Sequence, residues 1–184
     1  MEFVNLLCSE YKDKIIFLFR RKNLETPQML PALRFEILRF LNGKDSILDL
    51  DVFDQEKELK VVEEEALKIK MICSYHNYNQ TPNEQILESI INAMQKFEPF
   101  IYKLATFCKS ESDAFTLLNF LTELKSKQRK FIVLGMGELG AVTRIFGTLW
   151  GNEMLFAPTD EAEATAPGQY TRAAYQKIFE ALEQ

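Results

Sequence analysis

The sequence holds a single histidine, His76, just past the apolar run Lys70–Tyr75, and a lysine, Lys103, inside Phe100-Ile101-Tyr102-Lys103-Leu104-Ala105-Thr106-Phe107. A lysine within a strand, with apolar residues on both sides, is hard to keep charged. Burial lowers an amine's pKa and exposes the lone pair that attacks a carbonyl carbon. Lys103 is therefore a candidate imine-forming residue, and His76 a candidate base for the proton on the carbon that the imine activates. Each has a structural alternative: an edge-strand lysine whose amine reaches water, and a histidine satisfied by a backbone carbonyl. Other polar residues stand at the ends of apolar runs. Arg20 follows Lys14–Phe19, Asp49 and Asp51 lie within Ser46–Val52, and Arg144 comes shortly after Phe131–Gly135. Near the end, the acidic stretch Asp160-Glu161-Ala162-Glu163-Ala164 leads into Thr165-Ala166-Pro167-Gly168-Gln169. That segment reads as a solvated connection or as a lid whose Thr165 and Gln169 reach a substrate.

Gly135-x-Gly137-x-x-Gly140 follows an apolar run and opens a helical one, with Asp160 twenty residues beyond Gly140. This is the outline of a dinucleotide-binding fingerprint. Position counts against it. A dinucleotide-binding half needs further strands after the acidic residue, and only about two dozen residues follow Asp160.

The elements that must position these residues alternate. Strand-length apolar runs occur at Lys14–Phe19, Ser46–Val52, Lys70–Tyr75, Phe100–Phe107, Phe131–Gly135 and Met154–Ala157. Segments of helical period separate and follow them: Pro27–Leu41, Gln55–Leu67, Pro82–Phe97, Ser112–Ser126, Ala141–Leu149 and Thr171–Leu182. For Pro82–Phe97, Thr81 reads as the N-cap, with Pro82 at the first helical position and Glu84 at the third. Strict β–α alternation predicts a parallel sheet covered by helices, as a doubly wound open sheet or a (β/α)₈ barrel. In both, chemistry sits at the C-terminal ends of the strands. Without a Pro/Gly/Ser-rich linker or a low-complexity stretch, residues 1–184 read as a single domain.

Composition narrows the function classes. With 47% hydrophobic and 27% charged residues in 184, the chain can bury a substantial core. A net charge of −5 without a basic stripe argues against nucleic acid as a partner. No apolar run approaches the roughly 20 residues needed to span a membrane. Three cysteines (Cys8, Cys73 and Cys108) lack zinc-type spacing and read as reduced thiols, which predicts a cytoplasmic protein.

Taken in order, these pieces resemble the type I 3-dehydroquinate dehydratases (type I dehydroquinases) of the shikimate pathway. The resemblance rests on Ile15-Ile16-Phe17-Leu18-Phe19-Arg20, Leu48-Asp49-Leu50-Asp51, Ser74-Tyr75-His76-Asn77-Tyr78 and Tyr102-Lys103-Leu104-Ala105. It continues through Gly135-Met136-Gly137-Glu138-Leu139-Gly140, Val142-Thr143-Arg144 and Thr165-Ala166-Pro167-Gly168-Gln169. It runs from about residue 14 to the end.

The resemblance implies a (β/α)₈ barrel of TIM type that dehydrates 3-dehydroquinate to 3-dehydroshikimate through a lysine Schiff base, with neither metal nor cofactor. Under it, Lys103 is the imine lysine and His76 the general acid and base. Arg20 and Arg144 hold the substrate, Thr165 and Gln169 belong to the lid, and the glycine run is a βα loop. The match begins at the family's third strand, so the expected architecture is a barrel truncated to about six βα units. Three positions depart from the family pattern. No acidic counterpart precedes Arg20, Leu24 stands where the family has a glutamate (Glu25 being a shifted candidate), and Asp51 replaces a glutamate. Two open strand edges, at Lys14–Phe19 and Met154–Ala157, predict a homo-oligomer. Phe3-Val4-Asn5-Leu6-Leu7 could cover part of the gap. Other readings are a non-catalytic remnant or binding module of the same family and, more remotely, a dinucleotide-binding α/β domain.

Overall fold

A computed structural model describes residues 2–11, 14–19, 29–164, 166 and 168–182. Arg20 and Thr165 lie outside the described residues, as do Leu24, Glu25 and the first two residues of the expected Pro27–Leu41 helix. The elements run α1 (Glu2–Tyr11), β1 (Ile16–Leu18), α2 (Pro31–Leu41), β2 (Ile47–Asp51), α3 (Glu56–Glu64), β3 (Lys70–Asn77) and α4 (Glu84–Gln95). They continue with β4 (Ile101–Phe107), α5 (Glu111–Ser126), β5 (Phe131–Met136), α6 (Ala141–Trp150), a 3₁₀ turn at Glu161–Glu163 and α7 (Arg172–Leu182).

Contacts group these elements into two compact units, Met1–Tyr75 with Ile91–Phe100, and His76–Ile90 with Ile101–Gln184. In the first unit β1, β2 and β3 pair in parallel, with Ile16 opposite Ile47, Asp49 opposite Ile72 and Asp51 opposite Ser74. Every residue of β2 is buried, as expected of a parallel strand covered on both faces. Arg34 of α2 donates to Glu58 of α3 at 3.0 Å and lies over the Phe19 ring. Asp51 accepts from the Phe53 and Asp54 amides (3.1 and 3.2 Å), so it shapes the turn that leads to α3.

In the second unit β4 and β5 pair in parallel from Tyr102–Phe131 to Phe107–Met136. α5 begins with a capping box in which Ser110 and Asp113 satisfy each other's amides. It buries Leu117, Phe120, Leu121 and Leu124, each leucine worth about 1.5–3 kcal/mol of apolar transfer. The start of α6 is fixed to the end of β5 by Thr143. The Gly135 N–H donates to Thr143 Oγ1 (2.6 Å), which donates to the Gly140 carbonyl (2.7 Å).

Two sequence expectations change, and one helix is added. Met154–Ala157 is not a strand. Among the described residues one backbone bond, from the Glu153 amide to the Phe131 carbonyl, ties the chain just before this segment to β5, and no ladder follows. Pro158 comes next and has no N–H to offer one. The described residues therefore contain five strands rather than six. The third expected helix starts at Glu84, not Pro82. Asn83 is its cap, its Oδ1 accepting from the Ile86 amide at 3.0 Å. Phe3–Leu7 lies in a helix, α1, which Lys44 holds through Asn5 Oδ1 (2.9 Å).

Candidate active site

Lys103 sits mid-strand in β4 and is 8% exposed. Its register partner is Ile132, so strand alternation places it on one face with Ala105, Phe107, Ile132, Leu134 and Met136. The opposite face, with Val133 and Gly135, is turned to the start of α6: a Cβ on Gly135 would come within 3.2 Å of Thr143 Oγ1. Lys103 thus faces away from α6. Its Nζ lies 4.5 Å from the centre of the Phe156 ring, close enough for the ring's π face to attract the amine's charged form. Phe156 was legible only as an apolar residue of a supposed strand.

His76 lies near the C-terminal end of β3, one residue inside the strand rather than beyond it. Its imidazole stacks on Tyr78, with centroids 6.4 Å apart and planes inclined by 14°. Asn77 turns the chain directly after it, Oδ1 accepting from the Asn79 and Gln80 amides at 3.0 and 3.1 Å.

Arg144 occupies the first turn of α6. It is 1% exposed, and none of its three guanidinium nitrogens has a hydrogen-bond partner among the described residues. Burial pulls its pKa down from the usual arginine value, opposed by the nearby Tyr175 and Cys108. Burial also pushes the Cys108 thiol and the Tyr175 phenol up from their ordinary values. Both are therefore neutral near pH 7, and neither supplies the counter-charge that a buried guanidinium requires.

Gln169 precedes α7, and its Oε1 accepts from the Ala166 amide at 3.2 Å. This loop is seated on the glycine run. Gly168 has a φ of +78°, and a Cβ on it would collide with the Gly137 backbone. Gly137 itself has a φ of +82° and lies against the Phe107 ring. A Cβ on Gly135 would come within 2.7 Å of the Gly140 Cα. The glycines thus let protein backbone meet protein backbone, and Gly168 lies against Gly137 where a dinucleotide's pyrophosphate would have to approach. His76, Lys103, Arg144 and Gln169 all belong to the second unit. Among the described residues, no cluster of three or more His, Cys, Asp or Glu could hold a metal ion. None of the described helices is long and apolar enough to cross a membrane. All three cysteines are free and buried.

Comparison with known proteins gives this arrangement a family. The family model for type I 3-dehydroquinase matches residues 1–184. The 3-dehydroquinate dehydratase of Methanococcus maripaludis (strain C6) is 32% identical over 154 residues, covering 82% of this chain and 68% of that protein. The Klebsiella pneumoniae (strain ATCC 700721 / MGH 78578) protein of the same name is 29% identical over 155 residues, covering 82% of this chain and 60% of its own length. The chain therefore spans about two thirds or less of these curated relatives. Among solved structures, 3-dehydroquinate dehydratase from Geobacillus kaustophilus matches 92% of this chain and 67% of its own, at 26% identity and a TM-score of 0.77. The type I enzyme from Clostridium difficile shares the fold, with a TM-score of 0.78 at 24% identity, over 98% of this chain and 74% of its own. The α/β fold is accordingly of the (β/α)₈ type that the strand–helix alternation and the ordered motifs imply. The chain belongs to the type I 3-dehydroquinase family.

Proposed function

We propose that this chain carries the site of a 3-dehydroquinate dehydratase of the Schiff-base type, in one barrel-type domain over residues 1–184. One observation supports this most: a buried guanidinium, Arg144, without a hydrogen-bond partner among the described residues, in the same unit as a buried amine on a strand. Such a guanidinium calls for an anion, and its planar fork matches a carboxylate. 3-Dehydroquinate offers a carboxylate and a ketone on one ring. Arg144 takes the carboxylate, with Arg20, Thr165 and Gln169 as further substrate contacts, so that the ketone meets Lys103.

The Lys103 amine adds to the ketone carbon, and loss of water leaves an iminium. His76 removes a proton from the adjacent carbon, and the C–H electrons flow toward the iminium nitrogen to give an enamine. The enamine pushes out the hydroxyl one carbon further on, which leaves as water with the proton His76 returns. Water then hydrolyses the conjugated iminium, freeing 3-dehydroshikimate and the amine. The net change is loss of one water, and every electron pair moves within substrate and lysine, so no redox partner is required.

The test is borohydride reduction in the presence of 3-dehydroquinate, with peptide mass analysis. The expected adduct is on Lys103, and His76→Ala should still form it while turnover falls by about 10²–10⁴. No adduct, an adduct on another lysine, or near-normal turnover in His76→Ala would overturn the assignment. The binding-module reading draws on Asp51. It stands where the family has a glutamate, and one of its oxygens accepts from the Phe53 and Asp54 amides. Carboxylate binding without formation of the enone product would favour that reading.

A further inference from the structure

The hydroxyl of Thr81, freed from capping α4, has other partners. Its Oγ1 lies 2.9 Å from Thr106 Oγ1 and donates to the Phe107 carbonyl at 3.1 Å, with Cys108 Sγ at 3.8 Å. A hydroxyl has one proton to give. With that proton on the Phe107 carbonyl, Thr81 accepts from Thr106, which is fully buried. Thr81 thus fastens to the last two residues of β4. Lys103 sits three residues before Thr106 on that strand, about 10 Å along it at the usual strand rise. On the other side of Thr81, the Asn77 turn compacts the chain back to His76, whose ring stacks on Tyr78. All of these residues lie in the second unit.

We propose that Thr81 is a positioning residue for proton transfer. It sets where His76 stands relative to the carbon that an imine on Lys103 activates. The inference rests on the Schiff-base reading above. Imine formation needs Lys103 and the ketone, whereas the next step needs His76 aligned with a C–H bond, and a misplacement of about 1 Å can cost about 100-fold in rate.

The test compares wild type with Thr81→Val, which keeps the shape and loses the hydroxyl, and Thr81→Ser, which keeps the hydroxyl. In Thr81→Val the extent of imine trapping on Lys103 should match wild type, kcat should fall about 10–100-fold and KM should change by less than about threefold. Thr81→Ser should stay within about threefold of wild type in kcat. Because His76 is the only histidine, its imidazole Cε1–H gives a single NMR signal. That signal should shift or broaden in Thr81→Val and not in Thr81→Ser. Thr106→Val releases the same bolt from the β4 side. It should reproduce the Thr81→Val signal, and it serves where Thr81→Val does not fold. The inference is overturned by an unchanged histidine signal in both valine variants, by wild-type kcat in Thr81→Val, or by a parallel loss of trapping and turnover. A wild-type protein that never forms the imine sinks the Schiff-base reading instead, and the histidine signal then decides the role of Thr81 alone.

Discussion

Replacing Arg144 with methionine should make the ligand-free protein more stable and abolish its response to carboxylate ligands. Arg144 is 1% exposed, and its three nitrogens lack hydrogen-bond partners among the described residues. Its ionisable neighbours, Cys108 and Tyr175, are held neutral by burial. Without ligand the fold carries a desolvated charge that little offsets. Methionine fills comparable length without charge or donors. Replacing buried ionic groups by apolar ones of similar volume is stabilising by about 1–4 kcal/mol. For a domain of this size, each kcal/mol moves the melting temperature by roughly 2–4 °C, so a rise of several degrees is expected. With a carboxylate ligand the order reverses. Removing one partner of a buried, hydrogen-bonded charge pair costs about 2–5 kcal/mol, roughly 30-fold to several thousand-fold in affinity. Wild type should therefore gain stability on adding 3-dehydroquinate or a carboxylate analogue, and Arg144→Met should not. Thermal melting with and without ligand, together with calorimetry, measures both halves. A variant that melts lower than wild type and binds the ligand unchanged would refute the reasoning and make Arg144 a structural residue.

Two further outcomes follow from burial and from the sheet edge. Burial, with Asp51 and Asp49 nearby, pushes the Cys73 thiol up from 9.0 to about 12, and Cys108 and Tyr175 are raised as well. A raised folded-state pKa gives stability that is complete below the unfolded value and lost as pH climbs through the folded one. Melting temperature should therefore fall between about pH 9 and 12, and Cys73→Ala should flatten part of that slope; a pH-independent melt over this window would contradict it. Among the described residues β1 pairs only with β2, and its Leu18 is 60% exposed. An uncovered parallel edge invites a second chain, so light scattering should show self-association that dissociates on dilution. A monomer at every concentration would show that the edge is protected.

How legible the fold was depended on whether its cause was local. β2 to β5 were readable because each is an apolar run of strand length bounded by polar or turn residues, and burial on both faces demands such runs. Met154–Ala157 carries the same signal without forming a strand, because a strand is a property of the ladder and not of the run. α1 escaped notice because its apolar residues do not mark out a buried stripe: Phe3 is 69% exposed and Leu6 51%, with only Cys8 buried. Thr81 and Asn83 are both competent caps by type. What separates them is Thr106, twenty-five residues away in sequence, so no local rule could choose between them. The glycine run read correctly as a strand-to-helix turn. Its tight approaches, Gly140 on Gly135 and Gly168 on Gly137, are tertiary facts, and without them the spacing also fitted a nucleotide loop.

The candidate site was legible for a different reason: its residues are out of place by the rules that build a core. Lys103 and Arg144 are buried basic residues in a chain whose net charge is −5. Burying a charge costs several kcal/mol unless something pairs with it, and a core made for stability alone would hold apolar residues at both positions. Neutral hydroxyls fasten the segments that carry these groups. Thr143 locks the turn that presents Arg144, and Thr81 ties the His76 segment to the Lys103 strand. Hydroxyl links fix geometry without neutralising the Arg144 guanidinium, so its charge is left for a ligand to satisfy. That division, neutral groups to position and uncompensated charge to bind, fits a site whose substrate brings both an anion and an electrophilic carbonyl. It also explains why the stability gained in Arg144→Met and the binding lost there have one physical origin.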